Sequence, residues 1–194
     1  VFWTRCGLST VDQSAPYFRT DGYWNGAVWM PHQWFFWKTL LDLGEGALAW
    51  QIARTALETW HTEVLATGCC FEHFLTRTGR GAGWHQFGGL SAPILSWFSA
   101  YFQPGRLTGG YGMLVLEQHY DGRSLRARMR LSATPGRSPI VLAVAPHAVS
   151  ATWCGMPVPA VTVHPGTLEI RLPAGTGEGE LAVEGDPAAV PNCP

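Results

Sequence analysis

One stretch limits what this chain can fold into. From about Val28 to Leu43, Trp29, Trp34, Phe35, Phe36, Trp37, Leu40 and Leu41 make a helical segment apolar on nearly every face. Pro31 falls in its first turn, where a missing N–H costs nothing. A helix apolar all round has to be enclosed on all sides. The sequence offers two more helices to do so. In the first, about Ala47 to Leu65, Leu48, Ile52, Ala56 and Leu57 recur at three- and four-residue spacing, with Arg54, Glu58 and Glu63 on other faces. The second runs from about Ser91 to Phe102. Gly44-Glu45-Gly46 separates the first pair, and Gly68 is placed to cap the helix before it. Three such helices cannot bury one another's apolar surface, so the segment reads as the end of a larger helical assembly.

The pattern changes at Gln103-Pro104-Gly105. Nine of the ten tryptophans and all nine phenylalanines precede it. Beyond it come short runs of strand character: Met113 to Tyr120, Leu125 to Leu131, Ile140 to Val144, Val149 to Cys154, Thr167 to Leu172 and Glu180 to Glu184. Turn signals such as Asp121-Gly122 and Pro165-Gly166 separate them. Arg126, Arg128 and Arg130 alternate with Ala127, Met129 and Leu131; a solvated sheet face fits this better than a polyanion-binding stripe. The expected fold class is therefore α+β, helices over residues 1–103 and a small antiparallel β-sandwich over 104–185, with a disordered tail at 186–194.

A formal net charge of −1 excludes a generally basic nucleic-acid surface. No apolar run reaches the roughly 18 residues a membrane span needs, so neither nucleic acid nor membrane is an expected partner. No signal peptide is visible, and the chain begins at Val1 rather than Met. Compartment stays open, with a slight lean to the cytoplasm. Cys6, Cys69, Cys70, Cys154 and Cys193 fit neither a zinc spacing nor a disulfide scaffold. His32, His73 and His85 with Glu72 match no ligand spacing, so neither metal nor cofactor is expected.

Two segments are unlike core. Asp21 to Trp29 packs two glycines, Asn25 and three aromatics into a loop before a helix; such rings either line a sugar pocket or plug the end of a helical bundle. Phe71 to Trp84 sets Glu72 among Cys69, Cys70, Phe71, Phe74 and Leu75, followed by a glycine-rich turn. Apolar surroundings would raise the proton affinity of Glu72 and suit it as a base. The alternatives are a salt bridge to Arg77 or Arg80, or a solvated carboxylate. Ser91 lacks the context of a serine nucleophile.

Together these segments resemble the C-terminal part of the catalytic domain of inverting α-glycosidases with an (α/α)6 barrel. The similarity is to glycoside hydrolase family 63, with its α-glucosidases and mannosylglycerate-hydrolase-like enzymes, and more distantly to the trehalases of family 37. Tyr23-Trp24-Asn25-Gly26-Ala27-Val28-Trp29 resembles their Y-W-R-G-x-V-W element, and Gln33-Trp34-Phe35 continues it. Phe71 to Gly79 resembles E-x-Y-x-P-x-T-G, and Phe87 to Ser91 stands in the place of F-x-W-S. The resemblance covers about residues 10 to 102. It implies that Glu72 is the general base activating water, and that the helices end an incomplete (α/α)6 toroid. It also implies that Tyr23, Trp24, Asn25, Gly26 and Trp29 line a sugar subsite, that Gln33 binds hydroxyls, and that Trp84 or Phe87 closes the pocket. The implied partner is an α-glucoside-type oligosaccharide or glycoside.

The sequence departs from the family pattern in four places. Asn25 replaces an Arg, Phe74 a Tyr, and Gly88-Gly89-Leu90 the region of a Trp. The general acid, an Asp on an upstream helix in the family, has no counterpart; Asp12 and Asp21 lie too close to the Tyr23 motif. A further segment or subunit completing the barrel is expected, and at most trace glycosidase activity from the 194 residues alone. Two alternatives stand beside this reading. One is a non-catalytic carbohydrate-binding or structural module; the other is a sugar epimerase using His73 or His85.

Overall fold

The computed structural model describes residues 1–132 and 136–186. It is an α+β chain with three helices, α1 (Met30–Leu43), α2 (Gly46–Thr67) and α3 (Ala92–Phe102), the last preceded by a short 3-10 turn at Gly88–Ser91. All three lie within two residues of the spans read from periodicity. Two short hairpins flank the helices: β1 (Trp3–Thr4) with β2 (Gly7–Leu8), and β3 (His73–Phe74) with β4 (Gly81–Ala82). Among the described residues no helix is long and apolar enough to cross a membrane.

The chain divides into two compact units. The first comprises Val1–Trp37 and Ala47–Trp97. At its centre Trp37 and Trp97, both essentially buried, meet edge to face with centroids 6.3 Å apart. Ala49, Ile52, Ala53 and Ala56 give α2 a buried face, which a helix of this amphipathic pattern must have. Ser91 accepts a hydrogen bond from Trp60 Nε1 at 2.9 Å, a structural use of that hydroxyl. Enclosure of α1 is incomplete: Trp37 is buried, yet Phe35 and Phe36 on the same helix stay 57% and 44% exposed.

The second unit comprises Lys38–Gly46 and Phe98 onward. Its strands are β5 (Leu107–Gly109), β6 (Met113–Tyr120), β7 (Leu125–Leu131), β8 (Ile140–Val144), β9 (Ala148–Trp153), β10 (Met156–Pro157), β11 (Ala160–His164), β12 (Thr167–Arg171) and β13 (Gly177–Gly185). They form two antiparallel sheets, ordered β10-β9-β13-β7-β6 and β11-β12-β8-β5. Leu125, Met129, Leu181 and Val183 of one sheet share a core with Val141, Ala143, Leu168 and Ile170 of the other, which makes the pair a sandwich. Asp42 ties the end of α1 to the turn before β6, accepting from the backbone N–H groups of Tyr111 and Gly112 at 2.7 and 3.1 Å.

The arginine stripe of β7 lies on the outer face. Arg126 pairs with Glu184 at 2.8 Å, Arg128 with Glu117 and Glu178, and Arg130 with Glu178. A face whose charges are paired this way is a solvated sheet surface, and each exposed pair adds little stability. Of the tail expected to be disordered, residues 187–194 lie outside the described residues.

Candidate active site

The first wall of the site is the loop Arg19–Val28, which curls on itself. Arg19 N–H bonds to Asn25 O at 2.9 Å, and Ala27 N–H to Gly22 O at 3.0 Å. Asn25 Nδ2 donates to Tyr17 O at 2.9 Å, so the Asn25 amide helps to build the loop. Gly26 is required by closeness: a Cβ there would lie 1.7 Å from Arg19 O. The curl turns Tyr23 and Trp24 outward, 49% and 55% exposed.

Trp24 stacks on Trp29, centroids 3.9 Å apart and planes 10° from parallel. Trp29 is only 2% exposed. It stacks in turn on His73 at 5.1 Å, and its Nε1 donates to Tyr23 O at 3.0 Å. Trp29 is therefore the support of the platform, and Trp24 its accessible face.

The second wall is the β3–β4 hairpin. Reciprocal backbone bonds of 2.9 Å between Val28 and Phe74 join it to the first, bringing the two sequence motifs together. They place Glu72 beside the aromatic cluster. The Tyr23 hydroxyl donates to Glu72 Oε1, and Trp84 N–H donates to Oε2 at 3.2 Å. Those donors, Tyr23 first, hold the Glu72 carboxyl below its usual range, with burial opposing. This reverses the expectation that apolar surroundings would raise its proton affinity: two hydrogen bonds to the charged form outweigh desolvation. The bond to Glu72 raises the Tyr23 phenol in turn.

The salt-bridge alternative for Glu72 is taken up elsewhere. Arg80 forks onto Glu63 of α2, with Nε to Oε2 at 2.7 Å and Nη2 to Oε1 at 3.1 Å. His73 is 6% exposed beneath the cluster, its Nδ1 without a hydrogen-bond partner among the described residues. Burial lowers its proton affinity, while Glu72 raises it. A histidine so covered is poorly placed to exchange protons with a sugar, and His85 is exposed.

Gln33 departs from its expected role. It is 0% exposed, and its amide is spent on β2: Oε1 accepts Leu8 N–H and Nε2 donates to Leu8 O, both at 2.8 Å. It clamps the N-terminal hairpin to α1 and offers nothing to a hydroxyl. Trp84 and Phe87 are 66% and 41% exposed, Trp84 at the rim beside Glu72. The Glu63–Arg80 pair and Gly83 carried no sequence signal beyond a helix-borne acid and a glycine-rich turn.

Gly83 has φ +77°, and a Cβ there would lie 2.4 Å from Glu72 Oε2 and 2.9 Å from His73 Nδ1. Gly68 has a similar φ of +69° with nothing within 4 Å of a Cβ. Gly68→Ala therefore costs the backbone term alone, about 1–2 kcal/mol. Gly83→Ala adds a steric clash of about 1–3 kcal/mol. Thermal melts of the two variants measure the difference, and equal losses would contradict the close approach.

A carboxylate kept ionised at neutral pH, with one donor on each oxygen and lone pairs to spare, is chemically able to accept a proton. Aromatic faces beside it suit the apolar faces of a sugar ring. An ionisable carboxylate beside exposed aromatic rings is an arrangement that sugar-binding sites also use. Residues 1–88 match the mannosylglycerate hydrolase MGH1-like glycoside hydrolase domain. The chain is 32% identical over 91 residues to mannosylglycerate hydrolase MGH2 of Selaginella moellendorffii, covering 47% of this chain and 18% of that protein. It is 31% identical over 90 residues to a mannosylglycerate hydrolase of Thermus thermophilus, covering 46% and 20%. Among solved structures, a family 63 mannosylglycerate hydrolase of Thermus thermophilus, in complex with Tris and D-glycerate, aligns with 31% identity and a TM-score of 0.44. That alignment covers 48% of this chain and 22% of the other. The first half of the chain resembles the family 63 glycoside hydrolases, and the whole chain spans about a fifth of the length of these relatives.

Proposed function

We propose that the first 103 residues are part of the catalytic domain of a glycosidase that cleaves an α-glycosidic bond with inversion, with Glu72 as general base. The observation that carries this is the ionised Glu72 carboxylate fixed beside the exposed Trp24 face, which Trp29 supports from beneath. Water oxygen bonds to the anomeric carbon as the bond to the leaving oxygen breaks. One water proton passes to Glu72, and the leaving oxygen takes a proton from a carboxylic acid outside these 194 residues. Inversion sets the two carboxyl groups about 6.5–9.5 Å apart, with the water between them. From the relatives' activity, the substrate is an α-glycoside of the mannosylglycerate type. The helices belong to an (α/α)6 toroid completed by further helices; the exposure of Phe35, Phe36 and Leu95 supports this. Residues 104–185 form an appended sandwich domain. The accessible Trp24 face also fits sugar binding without catalysis.

The test joins this chain to the coding sequence upstream of Val1 and incubates the product with an α-mannosyl glycerate. Proton NMR identifies the first anomer released. The β-anomer is expected. First release of the α-anomer overturns inversion, and binding without hydrolysis establishes the non-catalytic reading instead.

A further inference from the structure

The family resemblance gives Tyr23 to the sugar, but its hydroxyl is already engaged. It donates to Glu72 Oε1. The ring cannot easily turn away, because it is held on three sides: edge to face with Trp29 at 4.7 Å, with His73 at 5.3 Å and with Trp24 at 6.2 Å. Its backbone is pinned as well, since Tyr23 O accepts Trp29 Nε1–H at 3.0 Å. The other oxygen of Glu72 takes Trp84 N–H at 3.2 Å. Two donors from two separate segments thus fix the plane of one carboxylate. A glutamate side chain has three rotatable bonds, and an unrestrained one would sample many orientations.

We propose that Tyr23 is a positioning residue: its hydroxyl, aimed by the Trp24, Trp29 and His73 rings, fixes the rotamer and charge state of Glu72. This rests on the reading of Glu72 as base and adds the group that holds it ready. Tyr23 then meets a sugar only through the exposed part of its ring. Positioning of this kind accelerates reaction because a base already aligned loses no freedom at the transition state. The direction of the Tyr23 and Glu72 shifts, phenol up and carboxyl down, is that of one shared proton bond.

The full chain, with glutamate carboxyl and tyrosine ring carbons labelled with carbon-13, tests this by NMR titration. Tyr23→Phe keeps the ring and removes the hydroxyl; the Glu72 midpoint is expected to move up, since burial then loses its main opponent. Tyr17→Phe, in the same loop, is expected to leave it unchanged. In Glu72→Gln the Tyr23 hydroxyl is expected to titrate lower than in the parent. His73 touches the Tyr23 ring and adjoins Glu72, so its own titration is followed in each sample. An unmoved Glu72 midpoint in folded Tyr23→Phe overturns the proposal. If that variant does not fold, an unmoved Tyr23 midpoint in Glu72→Gln does so. Neither readout requires turnover: coupling without hydrolysis in the completed enzyme would sink the glycosidase reading alone, and hydrolysis without coupling would sink the role of Tyr23 alone.

Discussion

Replacing Arg80 by Ala is expected to destabilise the N-terminal unit by about 2–3 kcal/mol, lowering its melting temperature by on the order of 10 °C. Glu63 sits on α2 with its side chain 3% exposed, and Arg80 occupies both of its oxygens. Removing the guanidinium strands a buried carboxylate. The loss falls below the range for a fully buried pair because Arg80 itself is 60% exposed and gives up little hydration. Arg54→Ala is the matched control. Its partner Glu58 is on the same helix, both side chains are more than 60% exposed, and the loss should be too small to move the melting temperature clearly. The pH dependence has a definite sign. Arg80, by hydrogen bond and charge, holds Glu63 below its usual range in the folded state. Its contribution is present above the unfolded-state carboxyl pKa and is lost as pH falls through the folded value. The gap between parent and Arg80→Ala should therefore be widest near neutrality and narrow in acid. A gap that persisted unchanged in acid would mean that Arg80 acts through something other than Glu63. The hairpin that carries Glu72 also contains Arg80, whose carbonyl accepts Leu75 N–H at 3.0 Å, so this ion pair anchors the site as well.

What can be read from the sequence follows the range of the interactions involved. α1, α2 and α3 are legible because periodicity and capping glycines are local, and so are β6, β7 and β8, where alternation or a continuous apolar run spans five or more residues. β5 and β10, three and two residues long, carry no period, and β11 between Pro159 and Pro165 is an edge whose faces are not distinguished. At the site, motif resemblance points to Tyr23, Trp24 and Glu72, and the fold brings them together. It does not show who satisfies whom. The Val28–Phe74 bridge, the Tyr23–Glu72 bond and the Glu63–Arg80 fork link residues far apart in sequence, and each decides the charge or aim of a side chain. That is why the neighbours of Glu72 in sequence give the wrong direction for its shift. It is also why Gln33 reads as a sugar ligand when its partner is Leu8, 25 residues earlier.

If Glu72 is the general base proposed above, Glu72→Gln in the joined protein of that test is expected to lower kcat by about 10²–10⁴-fold, the usual contribution of such a base. The amide is nearly isosteric, and its oxygen can still accept from Tyr23. Its NH2 group, however, would face Trp84 N–H, donor against donor, so one of the two bonds seen for the carboxylate is lost. Substrate affinity should change little, because the Trp24 face proposed to meet the sugar is untouched; KM and direct calorimetric binding of substrate check this. Stability should fall only slightly, because the partly exposed amide can find water in place of the lost partner. The pH profile separates a base from a merely structural acid. Glu72 titrates below its usual range, so the acid limb of kcat/KM in the parent should lie below that of an ordinary glutamate. In Glu72→Gln that limb should vanish along with most of the rate, since no group remains to be protonated there. A variant that turned over within about threefold of the parent, with the acid limb intact, would remove Glu72 from the chemistry and assign the base to another residue.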